Sequence, residues 1–309
     1  MIYAKIRTYR KGYLDVGDGH KLYYELSGNR RGKPILFVHG GPGGGFTKKD
    51  KRFFNPKKFN IITFDQRGSG KSKPFASLKN NTTFKLVKDM KKLLDFLGIK
   101  KTYVFGGSWG STLSLVYAIK YPETVLGMVI RGIFLGDKEE NDYFVYGARG
   151  LYPEAWERMA SLVTSKNRND IIGYYLKKMM SMDREVRKKY ALEWARYEFS
   201  VSSLKYSEKK VRGLLKTIRY EAFSIIELYY LKSNCFLPRN YILKNVSKFR
   251  FPVSIVHGRY DAVCKPESAY ELNKRIKGSK LYFTLAGHSA SDPENEKRLV
   301  KEMDRFSKL

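Results

Sequence analysis

The 309-residue chain carries 60 Lys and Arg against 30 Asp and Glu, a formal charge of +30, with 42% hydrophobic residues and two cysteines. That apolar content excludes a disordered chain despite the charge, and two cysteines exclude a disulfide framework, which fits a reducing, cytoplasmic setting. No uncharged apolar run reaches the roughly 18 residues of a membrane span, and the opening stretch lacks the apolar centre of a secretory signal.

In chain order, YLDVGDGHKLYYELSG (13–28) sets Gly-Asp-Gly between two strand-like runs and predicts a hairpin on a sheet edge. Short, β-rich, uniformly apolar runs follow at 35–38, 61–64, 102–105, 125–130 and 253–256. Such runs predict strands buried on both faces, as in a parallel sheet. Segments 83–97, 110–120 and 265–277 lie between or after them and read as helices. The alternation predicts an α/β fold with a mostly parallel sheet flanked by helices. From 136 to 245 strand-like runs stop, and aromatic and aliphatic residues recur at helical spacing among Lys, Arg and Glu. The expected organisation is a core of residues 1–135 and 246–309, with 136–245 inserted as a helical cap over the sheet's C-terminal edge, where open α/β sheets bind ligands. The basic residues are dispersed. Their densest cluster, KKDKRFFNPKKF (48–59), stands in no RNA- or DNA-binding motif, so the charge reads as solvated surface and argues against a nucleic-acid partner.

The strongest chemical signal is Gly106-Gly107-Ser108-Trp109-Gly110, a Gly-x-Ser-x-Gly between a strand and a helix. That context predicts a nucleophile elbow, with Ser108 lifted above the sheet. A serine hydroxyl needs a base, and on this fold the partners follow in the order Ser, Asp/Glu, His. Of four histidines, His288 in LAGHSASDP lies just after the last strand-like run and is the best base. Asp261, shortly after the strand VSIV, is the acid expected to orient the imidazole, and Asp292 is a rival that breaks the order. The oxyanion donors are expected from the amides of Trp109 and of Gly41 in ILFVHGGPGGG. GSGKS (68–72) imitates the end of a phosphate-binding loop, but the full motif requires glycine where Asp65 stands, so the segment reads as an ordered turn near the elbow.

At this point the sequence resembles the proline iminopeptidases, serine peptidases of the α/β-hydrolase fold, through HGGPGGG (39–45), DQRGSGKSKP (65–74), GGSWGSTLSLVYAIKYPE (106–123), RGIF (131–134), VHGRYDAVC (256–264) and AGHSA (286–290). The resemblance implies that Ser108, Asp261 and His288 form the triad, that N-terminal proline is released from peptide substrates, and that neither metal nor organic cofactor is used. It further implies that two cap glutamates bind the substrate amine: Glu198, in Trp194-Ala195-Arg196-Tyr197-Glu198, and Glu227, in Ile226-Glu227-Leu228-Tyr229-Tyr230. Phe134 and Tyr146 are placed at the proline ring by the same resemblance. The sequence departs from the family at Ser69, where many relatives have cysteine, at an inserted Lys265, and in SNCFLP (233–238). Two other readings stay open on the residues alone: a carboxylesterase or amidase sharing the triad without an amine anchor, and a polyanion-binding protein on a hydrolase scaffold.

Overall fold

The computed structural model describes residues 2–309. Eight strands form one sheet: β1 (Thr8–Gly17), β2 (His20–Gly28), β3 (Lys33–Val38), β4 (Phe59–Phe64), β5 (Thr102–Ser108), β6 (Val125–Ile133), β7 (Val253–Gly258) and β8 (Lys280–Thr284). Their order is β1-β2-β4-β3-β5-β6-β7-β8. The hairpin expected from Gly-Asp-Gly is β1–β2, and β2 pairs antiparallel with β4; every other pairing is parallel.

Because successive strand residues face opposite sides, the uniformly apolar runs feed two cores at once. Leu36, Val38, Ile62, Val104 and Ile130 face α1 (Thr83–Phe96) and α2 (Trp109–Lys120). Ile35, Phe37, Ile61, Tyr103 and Phe105 pack on the other side, with Leu299, Met303 and Phe306 of α11 (Pro293–Phe306). Helix α10 (Pro266–Arg275) joins the first of these layers through Ala269 and Leu272.

Between β6 and β7 the chain is helical: α3 (Lys138–Asp142), α4 (Pro153–Ala160), α5 (Ile171–Met179), α6 (Arg184–Ser202), α7 (Glu208–Thr217), α8 (Tyr220–Lys232) and α9 (Tyr241–Asn245). An aromatic cluster holds this layer together, with Trp194 of α6 meeting Phe144 at 5.8 Å and Tyr175 of α5 at 5.7 Å between ring centroids. Trp109 and Tyr230 of α8 meet edge to face at 4.8 Å, which ties the helical layer to the start of α2. Among the described residues no helix is long and apolar enough to cross a membrane.

Candidate active site

Strand β5 runs directly into α2 at Ser108, whose backbone sits at φ 60°, ψ −132°. Few residues other than glycine adopt that conformation, so strain is concentrated at the residue carrying the hydroxyl. The flanking glycines are needed for space. A Cβ on Gly106 would lie 2.3 Å from the Gly110 carbonyl oxygen, and one on Gly110 2.2 Å from that of Val38. Trp109 opens α2, so its amide is among the first N–H groups that a helix leaves without an intrahelical acceptor. Gly41, in the loop after β3, lines the same hollow as Ser108.

Asp261 follows β7 and is fully enclosed. Its Oδ1 accepts from the amides of Val263 (2.9 Å) and Cys264 (2.8 Å), while Oδ2 meets His288 Nδ1 at 2.8 Å. Burial alone would raise its pKa; the charge of His288 and that hydrogen bond outweigh burial and hold the carboxyl below its ordinary value. The imidazole lies against Gly132 of β6, where a Cβ would come within 2.9 Å of His288 Cε1. Ile133, the next residue, pairs in register with Ser108. Sheet register thus sets the imidazole beside the elbow strand.

The His288 loop is pinned on several sides. Arg131 Nη1 donates to the His288 carbonyl at 2.6 Å, and Asn295 Nδ2 donates to the carbonyls of Gly287 (3.0 Å) and Ser289 (2.9 Å). The rival acid Asp292 uses Oδ2 to accept from the Gly287 amide at 2.8 Å and the Leu204 amide at 3.0 Å. It holds the loop and does not meet the imidazole. His39 is buried, with Nε2 accepting from the Gln66 amide at 2.9 Å, and burial pushes its pKa down to about 4. Burial also lowers the pKa of His257, whose Nδ1 accepts from the Ile133 amide at 3.0 Å. His20, on the β1–β2 hairpin, contacts the Lys79 carbonyl in the loop before α1.

DQRGSGKS braces the glycine loop. Asp65 accepts from the amides of Phe46 (2.9 Å) and Lys71 (2.8 Å). Gln66 joins the loop to the elbow, donating through Nε2 to the His39 carbonyl and accepting from Trp109 Nε1, each at 2.8 Å. Arg67 is fixed by a two-pronged pair with Asp89, at 2.6 and 2.8 Å. The segment is spent on packing and offers no phosphate cradle.

Above Ser108 lies a small hollow lined by Phe134, Asn141, Phe144, Glu227 and Leu231. Glu227 comes from α8 and accepts from Trp194 Nε1 of α6 at 2.6 Å. Glu198, one turn after Trp194, lies within hydrogen-bonding reach of Glu227. Both carboxyls are buried. Burial raises Glu198 to about 7; burial and then the charge of Glu198 push Glu227 well above the ordinary range. Two carboxyls placed so closely in a dry site favour one shared proton and a net single negative charge, which attracts a cation.

Phe134 lies at the hollow, but Tyr146 does not line it: its hydroxyl accepts from the Ile171 amide at 3.3 Å. The aromatic that segment contributes is Phe144. Residues 143–147 form a π-helical turn, which changes the side-chain phase. Asn141, Arg131 and Gly132 also escaped sequence reasoning. Arg131 lay inside the RGIF match, but its contact with His288 spans 157 positions, beyond any local pattern. Among the described residues, the one group of three or more His, Cys, Asp or Glu side chains close enough to share a metal is Asp261, Cys264 and His288. Its imidazole Nδ1 and carboxylate are already joined to each other.

A family model described as alpha/beta hydrolase fold matches residues 33–294. Solved structures share that fold at low identity: an esterase from Exiguobacterium antarcticum (TM-score 0.62, 16% identical, 97% of this chain and 100% of that one) and an alpha/beta fold family hydrolase from Bacillus anthracis str. Sterne (0.61, 20%, 98% of each). Among curated proteins, a proline iminopeptidase of Arabidopsis thaliana is 41% identical over all of this chain and 82% of its own length. Proline iminopeptidases of Xylella fastidiosa (strain 9a5c) and Neisseria gonorrhoeae are 40% and 37% identical, over 99% and 98% of both partners. Likeness of that depth along essentially the entire length, on this fold and around this elbow, makes the chain a member of the proline iminopeptidase family of α/β hydrolases.

Proposed function

We propose that this chain is a serine aminopeptidase that releases proline from the N-terminus of peptides. The observation that carries the reading is the buried pair Glu198–Glu227 beside Ser108. An esterase has no use for two carboxyls desolvated at its acyl pocket, whereas a peptide's terminal ammonium pairs with them at short range.

In this scheme the pyrrolidinium of the substrate is held by the glutamates, with its ring against Phe134. Ser108 Oγ attacks the scissile carbonyl carbon as His288 Nε2 takes the hydroxyl proton. Asp261 keeps the Nδ1 proton in place and stabilises the imidazolium. The carbonyl oxygen, now anionic, is met by the amides of Trp109 and Gly41, each such donor lowering the barrier by about 3 kcal/mol. His288 then protonates the leaving peptide nitrogen, the C–N bond breaks, and water activated by the same imidazole hydrolyses the prolyl ester. Residues 136–245 act as the cap that supplies the anchors and excludes water. Two buried free cysteines, Cys235 and Cys264, fit a reducing, cytoplasmic setting.

The test is turnover of proline anilide and of its N-acetylated counterpart. The wild type cleaves the free amine and rejects the blocked one, and Ser108→Ala abolishes cleavage. Equal turnover of both substrates supports a general esterase or amidase instead, and undiminished activity in Ser108→Ala removes the scheme.

A further inference from the structure

The hollow above Ser108 holds one polar side chain for which the scheme gives no role. Asn141, in α3, is 4% exposed and lines the hollow with Glu227 and Phe144. Its Nδ2 donates to the carbonyl of Leu231 at 3.0 Å. A backbone carbonyl can only accept, so this bond fixes which end of the amide is nitrogen and which is oxygen. The oxygen, Oδ1, is buried and has no hydrogen-bond partner in the protein. Glu198 Oε2 is in the same condition. A buried acceptor without a donor bears the full cost of its desolvation, and such groups are rare in folded proteins. Two of the three buried side-chain atoms of this kind among the described residues belong to the hollow's lining or to the carboxyl pair beside it. Both are oxygens, so what satisfies them is an N–H or O–H donor, and the neighbouring carboxyls select a positively charged one.

We propose that the side-chain carbonyl of Asn141 accepts a hydrogen bond from the substrate's N-terminal ammonium, as a third anchor beside Glu198 and Glu227. This rests on the aminopeptidase reading and sharpens it. A neutral acceptor completes the shell around the ammonium without adding a further buried negative charge. Its orientation is set in advance by Leu231, which is one helical turn after Glu227 on α8, so anchor and acceptor ride on the same helix.

The experiment is calorimetric titration of the protein with wild-type Asn141, Asn141→Asp and Asn141→Leu, all in a Ser108→Ala background so that L-prolinamide is bound without being hydrolysed, using N-acetyl-L-prolinamide as the blocked control. Both variants lose the amide donor to Leu231, but only the aspartate keeps an oxygen acceptor in place. The leucine variant is expected to bind prolinamide roughly tenfold to hundredfold more weakly, as for loss of a hydrogen bond to a charged group. The aspartate variant is expected to stay within roughly threefold of wild type or to bind more tightly, because it restores a charge-assisted acceptor. Wild-type prolinamide binding no better than that of the blocked control, unchanged binding in the leucine variant, or equal loss in both variants overturns the assignment; the last outcome makes Asn141 a purely structural brace. Should the leucine variant not fold, Asn141→Ala carries the same comparison. Proline anilide turnover is measured in parallel on the wild type. Prolinamide binding that depends on Asn141 without anilide cleavage keeps the ammonium site and removes the peptidase reading, whereas cleavage with Asn141-independent binding removes this anchor alone.

Discussion

Ser108 pays for its position in backbone conformation. At φ 60°, ψ −132°, a side chain costs about 1–3 kcal/mol, and glycine at the same place gives back roughly 0.5–1 kcal/mol through its freer unfolded chain. Of two inactive variants, Ser108→Gly is therefore expected to be more stable than Ser108→Ala by about 1 kcal/mol in urea unfolding. A glycine variant no more stable than the alanine one means the elbow is unstrained. The glutamates carry a second residue-scale prediction. Glu198 titrates near 7 because burial disfavours its charge. Below that pH it is protonated and holds an ammonium poorly, so kcat/KM for proline anilide should fall as pH drops through about 7. Glu198→Gln should remove that limb, while the profile for a neutral p-nitrophenyl ester, which needs only the triad, should be the same in both proteins. Glu227→Gln, which keeps an oxygen for Trp194, should cost about 2 kcal/mol, roughly thirtyfold, in kcat/KM for the anilide. Equal losses on the ester would mean that the pair supports the fold and not the amine.

At the scale of elements, a buried acid adds a joint between the helical layer and the core. Glu140, in α3, accepts from the amides of Leu135 (2.5 Å) and Gly136 (2.9 Å), where the chain leaves β6, and meets Ser268 Oγ of α10 at 2.5 Å. Burial raises it from an ordinary 4.5 to about 7. The folded state therefore binds more protons than the unfolded one between those values, and stability falls as pH rises through that window. Glutamine satisfies the same partners, its carbonyl taking the two amides and its NH₂ donating to Ser268. Glu140→Gln is thus expected to gain about 2 kcal/mol relative to wild type between pH 5 and pH 8 in urea melts; a constant difference across that range would mean the acid is not protonated in the fold. Nothing in the sequence marked this joint, because its partners are backbone amides and a serine 128 positions away. The strands were legible because burial on both faces forces uniformly apolar runs such as ILFV and IITF. Ser108, Asp261 and His288 stood out as candidates because each sits at or just after a strand end in a fixed chain order. Glu198 and Glu227 could not be separated from ordinary surface acids by helical spacing and needed the family resemblance. Phe144 was hidden by the π turn, which residue order does not announce.

At the scale of the whole molecule, the +30 charge and the anionic hollow work against each other. A proline anilide arrives as a cation, so the dispersed surface lysines and arginines repel it at long range, while in the proposed scheme the two glutamates attract it at contact. Salt separates the two effects. The screening length shrinks from about 30 Å at 0.01 M to about 8 Å at 0.15 M, which removes repulsion across solvent but leaves a buried, water-excluded pair nearly untouched. For the anilide, kcat/KM is therefore expected to rise at least roughly twofold over that salt range. A neutral ester should show no such rise, since its encounter involves no net charge, and the zwitterionic peptide Pro-Gly-Gly should fall between them because its carboxylate offsets its ammonium. The measurement needs only initial rates at low substrate concentration with sodium chloride as the variable. A fall in anilide kcat/KM with salt would mean that the substrate is drawn in by an anionic entrance reaching into solvent, and that the surface charge is not what an approaching peptide meets.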